Sequence, residues 1–193
     1  GGGATDPVLY FSLEDEMEFY KPERFEDWES VEAFPDYEVS NTGLVENTRL
    51  GHILEPVAHH SGAMVVSMKH ESGRFKQAQV KRLVMGAFKK PKPLWDSQHV
   101  IGHYNQDQED CASYNLYWTT RARQLMLRGD AVSKDLQAPA WLNRCVGDND
   151  ILVEQFDTTL EMAQSLGLCP VFTIQKVWNA EFHMGFQFRL GRY

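Results

Sequence analysis

The residues of this 193-residue chain best suited to chemistry lie in Val100-Ile101-Gly102-His103-Tyr104-Asn105 and in Asn115-Leu116-Tyr117-Trp118-Thr119, whose first residue follows the histidine by twelve positions. Imidazole titrates near neutral pH, so a neutral His103 can take a proton from water. Asn105 and Asn115 bring carboxamides, each a donor and an acceptor. A lone histidine with an asparagine two residues on also fits a packed or surface position, so the flanking chain has to decide.

The elements that must position these residues can be read from pattern. Tyr37 to Val39 alternates and ends at Ser40-Asn41-Thr42-Gly43, a turn, with Leu44-Val45 opening the return strand. Met64 to Met68 is apolar and β-branched between the turns Ser61-Gly62 and Glu71-Ser72-Gly73, and Phe75 to Val80 pairs back. Leu83, Val84 and Ala87 fall on one face of a short helix from Lys81 to Phe88, which Lys90-Pro91-Lys92-Pro93 stops. A hairpin carrying His103 follows, then a helix near Thr120–Leu127 with Arg121, Arg123 and Gln124, closed by Gly129-Asp130. In the tail, Ile151 to Phe156 reads as a strand. Asp157 or Thr158 caps the next helix, with Glu161 placed for a capping box and Gly167 as the stop. A second helix over Phe172–Asn179 and a strand over Gly185–Arg189 complete the chain.

Charge is unevenly spread. The formal net charge is −8, where a DNA-binding chain is expected to carry a basic footprint. Residues 1–60 hold fourteen acidic and three basic side chains. Residues 69–92 hold eight basic ones (Lys69, Arg74, Lys76, Lys81, Arg82, Lys89, Lys90 and Lys92) against Glu71 alone, immediately before the histidine hairpin. The acidic Glu14–Glu38 stretch suits a solvated face, a partner surface or a device that weakens nonspecific binding. No run of about eighteen apolar residues exists, so no membrane span is expected. Gly1-Gly2-Gly3-Ala4-Thr5 reads as a flexible leader or expression scar. Cys111, Cys145 and Cys169 are odd in number and form no Cys-x-x-Cys pair, which points to a reduced cytosolic compartment and away from a zinc staple.

Several motifs in one order resemble the HNH homing endonucleases of phage and intron type. Trp28 is followed by Tyr37-x-Val39-Ser40-Asn41-x-Gly43-x-Val45 and by Ile53-Leu54-Glu55-Pro56, similar to the modular domain that precedes the nuclease motif. Val80-Lys81-Arg82-Leu83-Val84-Met85-Gly86-Ala87-Phe88 resembles that family's Val-His-Arg-Leu-Val helix, and the His103 and Asn115 motif comes next. The resemblance covers roughly residues 25–128. The tail is similar to the helix-turn-helix module appended to such enzymes.

The resemblance implies an α+β fold: a small antiparallel-sheet modular domain, a ββα-metal (HNH) core and a C-terminal helix-turn-helix module. The expected divisions are 1–24 (leader and acidic segment), 25–60 (modular domain), 61–130 (HNH-like domain), 131–148 (linker) and 149–193 (helix-turn-helix). It implies metal-dependent hydrolysis of duplex DNA in the cytoplasm of a bacterial host by a phage-encoded protein. His103 would be the base and Asn115 would hold its imidazole in orientation. Mg²⁺ or Mn²⁺ would supply charge stabilisation, with Gln124, Asn105 and Asp107 as candidate ligands. Lys81, Arg82, Lys89, Lys90, Lys92, Arg121 and Arg123 would meet phosphates, and Thr173, Gln175, Lys176 and Asn179 would face a groove.

Departures from the family pattern qualify the activity. Gly102 stands where the family places an Asp or Asn ligand, and Gln124, nine residues after Asn115, replaces the usual asparagine. A glutamine carbonyl sits one methylene further out, and octahedral Mg²⁺ tolerates misplacement poorly. The alternative function is therefore a catalytically degenerate HNH-fold protein that binds DNA, or binds a host protein through its acidic N-terminal region.

Overall fold

The computed structural model describes residues 26–88, 99–146 and 149–191. Its first half is built from two small antiparallel sheets and a helix. Strands β1 (Trp28–Val31), β2 (Phe34–Ser40), β3 (Val45–Asn47) and β4 (His52–Ile53) form one sheet in that order. The alternation seen in the sequence holds, since Tyr37 and Val39 are buried and Glu38 between them is half-buried. The turn after β2 needs its glycine. Gly43 has φ +94°, and a β-carbon there would lie 3.1 Å from the carbonyl carbon of Cys111.

Strands β5 (Val57–Ala58), β6 (Met64–Lys69) and β7 (Phe75–Gln79) form the second sheet. Val66 and Met68 point inward, and Tyr37 ties the two sheets by accepting the Lys69 backbone N–H on its phenol oxygen at 3.0 Å. Helix α1 (Val80–Phe88) continues directly from β7 and buries Val80, Val84 and Met85. These side chains join Tyr37, Val39, Val45, Ile101, Cys111 and Leu116 in one core, so both sheets, α1 and the hairpin share a single apolar interior.

The hairpin pairs β8 (His99–His103) with β9 (Leu116–Thr120), and a 3₁₀ turn at Ser113–Asn115 leads into β9. Thr120 caps the following α2 (Arg121–Met126) by accepting the Arg123 N–H at 3.2 Å.

The second half differs from expectation. The stretch 131–148, expected as a linker, contains most of α3 (Asp130–Gln137) and the strand β10 (Ala140–Val146). β10 is central in a four-stranded sheet ordered β11 (Asn149–Phe156), β10, β13 (Phe186–Leu190), β12 (Phe182–His183). Helices α4 (Thr159–Leu166) and α5 (Pro170–Trp178), joined through Gly167-Leu168-Cys169, lie against this unit. Thr158 caps α4 by accepting the Glu161 N–H, and Gly167 ends it in the left-handed conformation at φ 67°. The two helices pack with this sheet, which takes in β10 from the stretch 131–148 beside the expected tail strands.

A third apolar cluster joins the halves. Tyr104 and Tyr117 from the hairpin pack with Ala163, Cys169 and Val171 from the C-terminal helices. Tyr104 donates its phenol hydrogen to Leu168 O at 2.7 Å, and the Thr119 hydroxyl lies 3.2 Å from Cys169 Sγ. The histidine hairpin is thus clamped on both sides. Among the described residues, no helix is long and apolar enough to cross a membrane.

Candidate functional site

Three segments converge beside His103. Helix α1 supplies Lys81, β8 supplies Ile101 and His103, and α2 with the turn after it supplies Arg121, Gln124 and Arg128. Gln106 and Gln108 from the loop between the hairpin strands complete a cleft of about 510 Å³, in the range of small-molecule sites. Of the residues predicted from sequence, the fold brings Lys81, His103, Arg121 and Gln124 into this one space. Among the described residues lining it, none is acidic.

His103 is only 8% exposed, and its Nε2 is buried without a hydrogen-bond partner. Burial, followed by the nearby Lys81 ammonium, pushes its pKa below the ordinary histidine value, while Asp110 and Asp107 pull the other way. The shift favours the neutral imidazole. Burial also lowers the pKa of Lys81. Burial raises the Cys111 thiol to about 11.

Asn115 takes a different part from the one expected. Its Oδ1 accepts the Asn105 N–H at 3.1 Å, and its Nδ2 donates to Asn105 Oδ1 at 2.9 Å and to Asp110 O at 2.8 Å. These bonds brace the loop after His103 and do not hold the imidazole itself. The loop is anchored from the other side by the turn after β2, since Asn41 O accepts the Ser113 N–H at 2.7 Å. The Tyr-x-Val-Ser-Asn-x-Gly pattern thus builds the seat of the site: Tyr37 and Val39 fill the core, Gly43 approaches Cys111, and Asn41 holds Ser113.

The expected metal ligands do not assemble. Asn105 Oδ1 already accepts from Asn115 Nδ2 and from the Asp107 N–H at 2.9 Å, and its Nδ2 donates to Asp110 Oδ2 at 2.9 Å. Asp107 caps its own turn by accepting the Glu109 N–H at 3.0 Å. Asp110 likewise accepts the Ala112 N–H on its other oxygen. Among the described residues, no group of three or more His, Cys, Asp or Glu side chains could hold a metal ion. A β-carbon on Gly102 would fall 2.6 Å from both Tyr117 Cε2 and Gln124 Nε2, so a ligand side chain has no room there. One imidazole and glutamine carbonyls among three cationic side chains do not fit the oxygen-rich octahedral shell that Mg²⁺ demands.

Other expected residues lie elsewhere. Arg82 is exposed on α1 but does not line the cleft. Arg123 lies over the Phe172 ring at 5.7 Å, facing the C-terminal helices. Lys89, Lys90 and Lys92 fall outside the described residues, as do residues 14–25 of the Glu14–Glu38 stretch. Gln175 on α5 and Asn179 just after it are exposed. Lys176 pairs with Glu181 at 3.2 Å and lies 5.1 Å from the Phe172 ring centre. Thr173 is fully buried and donates its hydroxyl to Cys169 O at 3.0 Å, so it stabilises the turn of α5 and cannot face a groove.

Sequence reasoning also missed residues. Gln106, Gln108 and Arg128 line the cleft, and nothing in their spacing marked them. The outer face of the β6–β7 ribbon carries Ser67 opposite Gln77 and Lys69 opposite Phe75, with Gln79 beside Val65. Phase within the alternating strands was the available signal: with Val66 and Met68 inward, these polar residues must face out.

Neither a family model nor a curated protein matches the chain. Among solved structures, it is similar to one reported as "DNA binding and cleavage by the HNH homing endonuclease I-HmuI", with 23% identity over 86% of this chain and 98% of that one and a TM-score of 0.47. A likeness of that size carries no assignment of activity.

Proposed function

We propose that this protein is an HNH-type duplex-DNA-binding protein that keeps the base histidine and has lost the metal cage. The observation that carries the reading is the convergence of Lys81, His103, Arg121 and Arg128 on one cleft with no acidic side chain among the described lining. Duplex DNA presents a dense row of negative phosphates, and a cationic cleft beside a rigid hairpin suits them. The sequence motifs quoted above support the same partner and a phage-encoded role in a bacterial cytoplasm. The exposed Gln175 on α5 and Asn179 just after it are a second candidate contact, and Gln77 and Gln79 on the β6–β7 ribbon a third, because carboxamides can read base edges.

This chain's own groups do definite work in that reading. Lys81 and Arg121 draw the phosphate in, the Asn115 brace fixes the loop that carries Gln106 and Gln108, and Tyr104 docks the hairpin on the C-terminal unit. The lowered pKa of His103, which favours a neutral ring, suits a second reading, hydrolysis with this imidazole as the base.

One pair of measurements tests both. Fluorescence anisotropy of the full chain with a short duplex across a salt series is expected to show binding whose log–log slope falls by about 0.9 per phosphate neutralised. No binding at low salt removes the DNA reading. Incubation with supercoiled plasmid and Mg²⁺ or Mn²⁺ is expected to leave the plasmid intact. Nicking that His103→Ala abolishes would establish the hydrolytic reading instead.

A further inference from the structure

We propose that the cleft beside His103 is a phosphate site that works without a divalent cation, with Lys81, Arg121 and Arg128 supplying charge and the His103 ring turning to donate to the oxyanion. The proposal takes its natural ligand, a DNA backbone phosphate, from the reading above, while its chemistry stands on the cleft alone.

The charge comes from three places in the chain. Lys81 sits in the first turn of α1, Arg121 opens α2, and Arg128 lies just beyond that helix. Bringing three cations to one space is unfavourable unless an anion joins them. Burial already holds the Lys81 ammonium below its usual range, a strain that an incoming anion relieves. Asp107 and Asp110 act on His103 from the neighbouring loop, where they accept from its own N–H groups, but neither lines the cleft.

The imidazole adds a specific demand. His103 is more than nine-tenths buried and lines the cleft, yet Nε2 has no partner. A buried ring nitrogen left unpaired is costly. A turn of the ring would bring this nitrogen to an anion in the cleft, where the neutral imidazole can donate its proton. Gln106, Gln108 and Gln124 bring further N–H donors for the remaining phosphate oxygens. Every one of these groups suits an anion. A divalent cation would meet repulsion from three side chains and would find no carboxylate among the described lining.

The test uses the full chain with ¹⁵N-labelled histidine in EDTA, titrated separately with inorganic phosphate and with a short DNA duplex. Both probes are expected to move the His103 ring-nitrogen resonances. Arg121→Ala combined with Arg128→Ala removes two exposed side chains without touching the core, and should weaken inorganic phosphate roughly tenfold or more. Adding Mg²⁺ should not tighten the duplex complex. If phosphate moves His103 but no duplex binds, the anion site stands and DNA is removed as its source. If a duplex binds while His103 stays unmoved and the double variant binds as well as wild type, the phosphate site is overturned and DNA binding survives. Duplex binding that vanishes in EDTA and returns with Mg²⁺ overturns the cation-free site.

Discussion

Gly102 and Tyr117 are cross-strand partners in the β8–β9 hairpin, and the Tyr117 ring occupies the space a side chain at 102 would need. Tyr117 is 1% exposed and is held by the Tyr104 ring at a centroid distance of 4.5 Å. It cannot move aside without unpacking the cluster that joins the two halves.

Substitution at 102 is therefore expected to destabilise the fold and not to rebuild a ligand. Gly102→Ala should cost about 1–3 kcal/mol from overpacking, read by urea denaturation. Gly102→Asp should cost more, because it also buries a carboxylate beside Tyr117. A Gly102→Asp protein as stable as wild type that binds Mn²⁺ in calorimetry would show that the pocket can open.

Asn115 acts through the loop. Asn115→Ala removes three hydrogen bonds from a residue that is 1% exposed. Leaving the Asn105 N–H and Asp110 O without this partner should cost about 1–3 kcal/mol and speed amide exchange at Asn105. Unchanged exchange there would mean that the loop is held by other contacts.

The sequence displayed the core-forming half of this structure well, because strand alternation and helix period act locally. Tyr37, Val39, Val66, Met68 and Val84 are buried as their spacing required. The site was only partly legible. Lys81, His103, Arg121 and Gln124 were chosen by type and do share a cleft, but the partner of Asn115 depends on loop geometry that no spacing encodes. The stretch 131–148 misled because Leu142 and Asn143 are both buried at a bulge in the β10–β11 pairing, which breaks the alternation that marks a strand. Thr173 looked like a groove residue because helical phase was judged without the Cys169 turn it serves.

That difference separates two residues on α5. Thr173→Val removes a buried hydroxyl and leaves Cys169 O without this side-chain donor, so it should lower stability by about 0.5–1.5 kcal/mol without altering preference among DNA sequences. Gln175→Ala should leave the melting midpoint unchanged, since Gln175 is exposed. If α5 meets bases, the same change should relax sequence preference by about 1–3 kcal/mol. A loss of stability in Gln175→Ala with intact Thr173→Val would reverse the helix face assigned here.

The alkaline limit of the fold follows from three buried groups. Burial raises the Cys111 thiol from 9.0 to about 11, lifts Tyr117 above its usual 10, and lifts Tyr104 in the same direction. Each holds its proton more tightly when folded than unfolded. Their stabilisation is thus complete below the unfolded values, begins to be lost as pH passes about 9 for Cys111, and continues to fall as the tyrosines ionise in the unfolded chain. Stability against urea should be flat near neutrality on their account and decline from pH 9 upward. Cys111→Ala should remove the first part of that decline, and native Cys111 should resist iodoacetamide at pH 8, where the thiolate is about one part in a thousand. Rapid alkylation of Cys111 in the native protein at that pH would show that its thiol is neither buried nor raised.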